Sequence, residues 1–135
     1  MSNDASIDTA TAIQVAAFRA ALRTFLRRSE LVARENGLTP QRHLLLLMIK
    51  GAPDGREQAS VTELAERLQL AQTTVTDLVR RAEQAGLVER ERSNLDARVA
   101  HIRLTDEGER RLAHSVRGHA AEREELQKMI RRLGS

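Results

Sequence analysis

Residues 60–104 read SVTELAERLQLAQTTVTDLVRRAEQAGLVERERSNLDARVAHIRL, and the order of patterns in this stretch decides the fold. Ser60-Val61-Thr62-Glu63 is a capping box: a hydroxyl residue followed three positions later by a carboxylate that can reach back to a free amide. It opens a short helix carrying Leu64, Ala65 and Leu68. Gln69-Leu70-Ala71 makes a tight turn. A second helix follows, with Val75, Leu78, Val79 and Ala82 at i, i+3, i+4 and i+7, and closes at Ala85-Gly86, where glycine suits a helix C-terminus. The period then changes. Leu87 to Arg92 alternates loosely and Val99 to Leu104 cleanly, with Ala100, Ile102 and Leu104 on one face. The polar Ser93-Asn94-Leu95-Asp96-Ala97-Arg98 lies between them, so the pair reads as a two-stranded hairpin with a long tip.

Helices extend this pattern on both sides. From about Thr9 to Arg34, Phe18, Leu22, Phe25 and Val32 recur at helical spacing, and Asn36-Gly37 ends the helix. Thr39-Pro40, a cap followed by a proline at the first position, opens a helix that runs to Lys50. Its Leu44 to Ile49 run is apolar on every side, which predicts the most buried helix. Ala52 to Ala59 reads as an exposed loop that can close with a short strand. Thr105 caps a last helical region, with Asp106 and Glu107 favourable in its first turn, a stripe of Leu112, Val116, Leu126, Met129, Ile130 and Leu133, and Gly118 as a break. Helix, turn, helix and hairpin in this order describe a winged helix-turn-helix. The expected fold is mainly α with a small β-hairpin wing (α+β), a single domain over 1–135. Within it, 39–104 is the winged helix-turn-helix region, and 9–35 and 105–133 are dimerisation helices, because amphipathic termini cannot bury their stripes within so small a winged region.

Composition narrows the function by exclusion. The 135 residues contain no cysteine, which removes disulfide scaffolds, cysteine nucleophiles and thiol redox sensing together. With two Phe and neither Trp nor Tyr, aliphatic side chains must fill the core. The first eight residues are polar and acidic with no apolar stretch behind them, so no signal peptide is expected, and no apolar run approaches a membrane span. The chain reads as cytoplasmic. The four histidines, His43, His101, His114 and His119, stand at no usual metal-ligand spacing, and neither a phosphate loop nor a nucleophile elbow is present. No enzyme activity, cofactor or metal is expected, and satisfied or solvated histidines outweigh a zinc-sensing role. The net charge is +3. Within 60–104, however, seven arginines (67, 80, 81, 90, 92, 98, 103) meet seven acids (63, 66, 77, 83, 89, 91, 96), so binding to a polyanion there must come from placement rather than bulk charge.

Opposite the apolar stripe of the second helix stand Gln72, Thr73, Thr76 and Arg80. Gln pairs bidentately with adenine, and Thr offers a hydroxyl together with a methyl for thymine, so this face suits a major groove; the competing reading is a solvated helix face. Several motifs here resemble the MarR family of bacterial regulators: Leu64-Ala65-Glu66-Arg67-Leu68, Thr74-Val75-Thr76, Ala85-Gly86-Leu87-Val88-Glu89-Arg90, Asp96-Ala97-Arg98 and Leu104-Thr105-Asp106-Glu107-Gly108. The resemblance covers roughly residues 13–133.

The resemblance implies a triangular homodimer in which the first and last helices of two chains interlock and two winged regions read a pseudo-palindromic operator in double-stranded DNA, most often as a repressor. It assigns DNA contacts to Gln72, Thr73, Thr74, Thr76, Arg80, Arg90, Arg92, Asn94 and Arg98, and makes Asp96 the acid that shapes the wing. For Arg98 the alternative is a salt bridge to Asp96 or Glu91; for Arg90 and Arg92 it is solvation on the strand. It also implies a small aromatic or anionic effector, in a cleft to which Arg19, Arg23, Arg42 or His43 could contribute. Four features depart from the family's pattern. Ala71 replaces the usual hydroxyl cap, and Asp77 stands where it would repel phosphate or accept from a cytosine amino group. The 52–59 loop is longer, and the C-terminal helices are shorter. The rival function is a winged-helix module for protein contacts alone.

Overall fold

The computed structural model describes residues 5–92 and 99–133. Its elements are α1 (Thr9–Glu35), α2 (Pro40–Lys50), β1 (Gln58–Ala59), α3 (Val61–Leu68), α4 (Gln72–Gln84), β2 (Val88–Arg92), β3 (Ala100–Leu104), α5 (Asp106–Gly118) and α6 (Ala120–Leu133). This is the mainly α, winged helix-turn-helix arrangement expected.

Local chemistry sets the helix ends. The Asp8 carboxylate accepts from the Thr11 amide at 2.7 Å to start α1, and Asn36 stops it by donating its side-chain amide to Val32 O at 2.9 Å. Thr39 caps α2 with Pro40 in its first turn. The capping box of α3 is complete, with Glu63 N donating to Ser60 Oγ and Ser60 N to Glu63 Oε1. Gly86 holds φ +76° at the end of α4, a region that costs a Cβ-bearing residue extra energy. Gly118, the last residue of α5, answers a tertiary need: a Cβ there would lie 2.5 Å from Val32 Cγ1, so glycine lets α1 approach the α5–α6 break.

The core is aliphatic, as the composition requires. Leu45, Leu46 and Ile49 of α2 meet Leu64 of α3, Val75 and Val79 of α4, Leu87, and Ile102 of β3, all fully buried. α2 touches α1, α3, α4, α5, β1 and β3, yet it is not buried all round. Leu44 is 42% exposed and Leu47 37% exposed. α2 still has the largest buried share of the described helices, as its apolar run predicts, but the run is not buried on every side: a 3.6-residue period puts 45, 46 and 49 towards the neighbours, and 44 and 47 towards the opposite side.

The hairpin gains a third strand. β3 pairs antiparallel with β2, Arg90 opposite Ile102, and on its other edge with β1, Ala59 opposite Ile102 and Gln58 opposite Arg103. The end of the long 52–59 loop thus enters the sheet, and Lys50 fastens it by pairing with Glu57 at 3.0 Å and Glu109 of α5 at 2.9 Å. No described helix is long and apolar enough to cross a membrane.

Candidate nucleic-acid interface

α4 is held from beneath. Val75, Leu78, Val79 and Ala82 are buried, so the helical period turns Gln72, Thr73, Thr74, Thr76 and Arg80 outward, and all five are exposed. Ala71 offers no side-chain cap, which leaves the first-turn amides of α4 without a side-chain acceptor at the same end as Gln72 and Thr73. α3 meets α4 through the left-handed Gln69 (φ +58°), whose side-chain amide donates to Glu66 O at 2.6 Å. Arg67, the arginine of α3, is used internally: it donates to the carbonyls of Met48 and Gly51 at the end of α2.

Arginines on this side of the molecule are paired with acids. Asp77 accepts from Arg80 through Oδ1 and from Arg81 through Oδ2, the latter at 3.0 Å. The Arg80 hydrogen bond comes first among the causes that hold the Asp77 carboxyl below the usual carboxylate range. Arg90 of β2 donates to Glu83 of α4 at 3.3 Å, linking strand to helix, and Arg103 of β3 donates to Glu91 at 3.1 Å. Arg92 is the last residue of β2, its backbone opposite Ala100. Asn94, Asp96 and Arg98 lie outside the described residues. Glu91, one of the two acids considered for Arg98, is engaged by Arg103.

The residues assigned to an effector cleft separate. Arg19 and Arg23 are exposed on α1, Arg42 is half-buried and His43 is buried. The structure also builds a pair that the spacing of histidines gave no sign of. His43 of α2 and His119 at the α5–α6 break meet edge to face, ring centroids 5.9 Å apart, and Phe25 of α1 packs edge-on against His119 at 5.4 Å. Ser115 is buried in the same helix, one turn before His119. His43 Nδ1 and Ser115 Oγ have no hydrogen-bond partner among the described residues. Among those residues no three ligand-type side chains gather for a metal.

Burial pushes both imidazoles below their ordinary value. For His43 the neighbouring His119 adds to this; for His119 the Ser115 backbone and Glu122 pull upward, while Arg123 and Arg28 push further down. A histidine whose pKa is depressed on folding takes up its proton more readily in the unfolded chain. The stability it allows is therefore complete above about pH 6.5 and is lost as the pH falls towards the folded-state value. Melting temperature should fall as the pH is lowered from 7.5 to about 5.5, a window above the titration of ordinary carboxylates. His43→Gln should flatten the fall, and an equal slope in that variant would place the proton uptake elsewhere.

Comparison with known proteins agrees with this architecture. The MarR family pattern matches residues 36–99, from the end of α1 into the hairpin. The chain is 31% identical over 87 residues to the HTH-type transcriptional repressor MdtR of Bacillus subtilis, a match covering 64% of this chain and 54% of MdtR. The chain spans about half the length of the curated relatives it matches. Among solved structures, a MarR family protein from Bacillus stearothermophilus superimposes with a TM-score of 0.73 at 25% identity, covering 87% of this chain and 79% of that one. Sco3205 of Streptomyces coelicolor, a MarR family transcriptional regulator solved in complex with DNA, has a TM-score of 0.66 at 22% identity, covering 90% and 76%, and speaks to the fold. With element order, sheet pairing and matched residues in agreement, this chain is similar to MarR family proteins across its winged helix-turn-helix region.

Proposed function

We propose that this chain is a sequence-specific DNA-binding transcription regulator, a repressor, that reads a pseudo-palindromic operator as a homodimer. The observation that carries this reading is the first half of α4: four small polar side chains, Gln72, Thr73, Thr74 and Thr76, exposed together on a helix whose opposite face is locked into the core. A rigid helix presenting amide and hydroxyl groups fits the donor and acceptor edges of a major groove. The β2–β3 hairpin beside it carries Arg90 and Arg92, with Asn94, Asp96 and Arg98 between the strands in sequence, as the wing.

The dimer follows from what the terminal helices leave uncovered. α6 has no buried residue among those described, and Ile13, Val15 and Leu26 of α1 and Ile130 and Leu133 of α6 are exposed. A second copy offering the same stripes covers them by symmetry. Release by a small aromatic or anionic effector belongs to the same reading, with Arg42 and His43, the two cleft residues drawn into the body, as its contacts.

Selection from a random duplex pool tests the reading. The wild-type chain should enrich a palindromic site bound by two chains. Gln72→Ala and Thr76→Ala should each cut the preference for that site over random duplex by about 1–3 kcal/mol, with melting unchanged because both side chains are exposed. Absence of any enriched site would favour the protein-interaction module.

A further inference from the structure

α4 carries two acids, and their positions differ in consequence. Glu83 stands at the C-terminal end and is engaged by Arg90 of the strand. Asp77 stands within the outward face: counting by threes and fours, Thr73, Thr74, Arg80 and Arg81 surround it on the helix surface. Both of its oxygens are occupied, Oδ1 by Arg80 and Oδ2 by Arg81, so one carboxylate neutralises the two adjacent cations of the helix. All three side chains are at least one-third exposed, and an ion pair of this kind is easily exchanged for another partner.

We propose that Asp77 is a specificity-determining residue, holding Arg80 and Arg81 away from phosphate and admitting α4 only where the base beneath its carboxylate is a cytosine or an adenine, rather than a guanine or a thymine. This rests on the reading of α4 as the helix that meets DNA. Against an arbitrary duplex, phosphates compete for Arg80 and Arg81 while Asp77 remains beside them as a like charge, so attraction that ignores sequence is weakened. In the major groove the base edges of guanine and the O4 of thymine are acceptors and give the carboxylate nothing. The N4 amino group of cytosine and the N6 amino group of adenine are donors and can replace the arginines. The acid thereby penalises wrong sites, and discrimination arises from repulsion as well as from fit. It also explains how a stretch with equal numbers of arginines and acids can still discriminate: charge within the face is used against the wrong partner.

Asp77→Asn keeps the size and one acceptor but removes the charge. On a random-sequence duplex at about 0.1 M salt, Asp77→Asn should bind on the order of tenfold more tightly than wild type, and log affinity should fall more steeply with log salt by about 0.9 for each arginine that reaches a phosphate. The ratio of affinities for the wild-type-selected duplex over random duplex should fall accordingly. Glu124→Gln on α6 makes the same change in net charge away from this face and should leave random-duplex affinity where it was. Asp77→Glu, which restores the charge, should return the salt slope towards wild type. Equal random-duplex affinity and slope in Asp77→Asn and wild type, with wild type selecting its site, would overturn the proposal. So would an equal gain in Glu124→Gln, which would assign the effect to bulk charge. A wild-type chain that selects no duplex would overturn the DNA-binding reading itself, an outcome distinct from the other two.

Discussion

Replacing Gly108 with alanine should cost the fold about 3 kcal/mol or more, which places it among the most damaging single-methyl additions the chain can receive. Gly108 sits buried in the first turn of α5, where its amide donates to Thr105 Oγ1 at 3.1 Å. A Cβ at this position would lie 2.2 Å from the carbonyl oxygen of Leu87 and 3.1 Å from its carbon, so the obstacle is backbone and no rotamer change relieves it. That same Leu87 oxygen accepts from the Thr105 amide at 3.0 Å, and Thr105 Oγ1 donates to Gly86 O at 2.6 Å. Admitting a methyl group forces α5 away from the turn between α4 and β2, breaks these two bonds and presses on Leu104 Cγ, 3.4 Å from the added Cβ. A thermal melt should show Gly108→Ala lower by on the order of 10 °C. An unchanged melting temperature would mean that α5 slides freely over the hairpin, contrary to the packing described.

The second large effect separates neighbours that the sequence treats alike. Leu46→Ala should destabilise by about 2–5 kcal/mol, because the side chain is fully buried where α2 meets the rest of the core and its removal leaves a cavity that close-packed neighbours cannot fill. Leu44→Ala, two residues earlier in the same four-leucine run, should cost below about 1 kcal/mol, since 42% of Leu44 is already in solvent. Both variants should be unfolded in urea at one protein concentration, so that association contributes equally to each. Comparable losses would show that the Leu44 side of α2 is covered by a second chain, and would move α2 into the dimer interface.

The candidate interface was legible in sequence wherever one helical turn or one strand pair supplies the signal. The exposure of Gln72, Thr73, Thr74, Thr76 and Arg80 follows from the stripe of Val75, Leu78, Val79 and Ala82, because a 3.6-residue period leaves the polar side no other direction. Asp77 was visible as an oddity, and its partners stand at i+3 and i+4. The wing-tip assignments, Asn94, Asp96 and Arg98, fall on residues outside those described.

The sequence by itself determined the order and most ends of the elements: the Ser60–Glu63 box, Thr39-Pro40, Asn36-Gly37 and Gly86 each depend on atoms within a few residues, so local chemistry suffices. Tertiary structure decided what those elements meet. It placed Ala59 opposite Ile102 to add a third strand, brought His43 and Phe25 onto His119, turned Leu44 and Leu47 outward from an apolar run, and set Leu87 O against Gly108. These are encounters between segments far apart in the chain. They arise from the volume and direction of every other packed side chain at once, and no window of sequence contains that information.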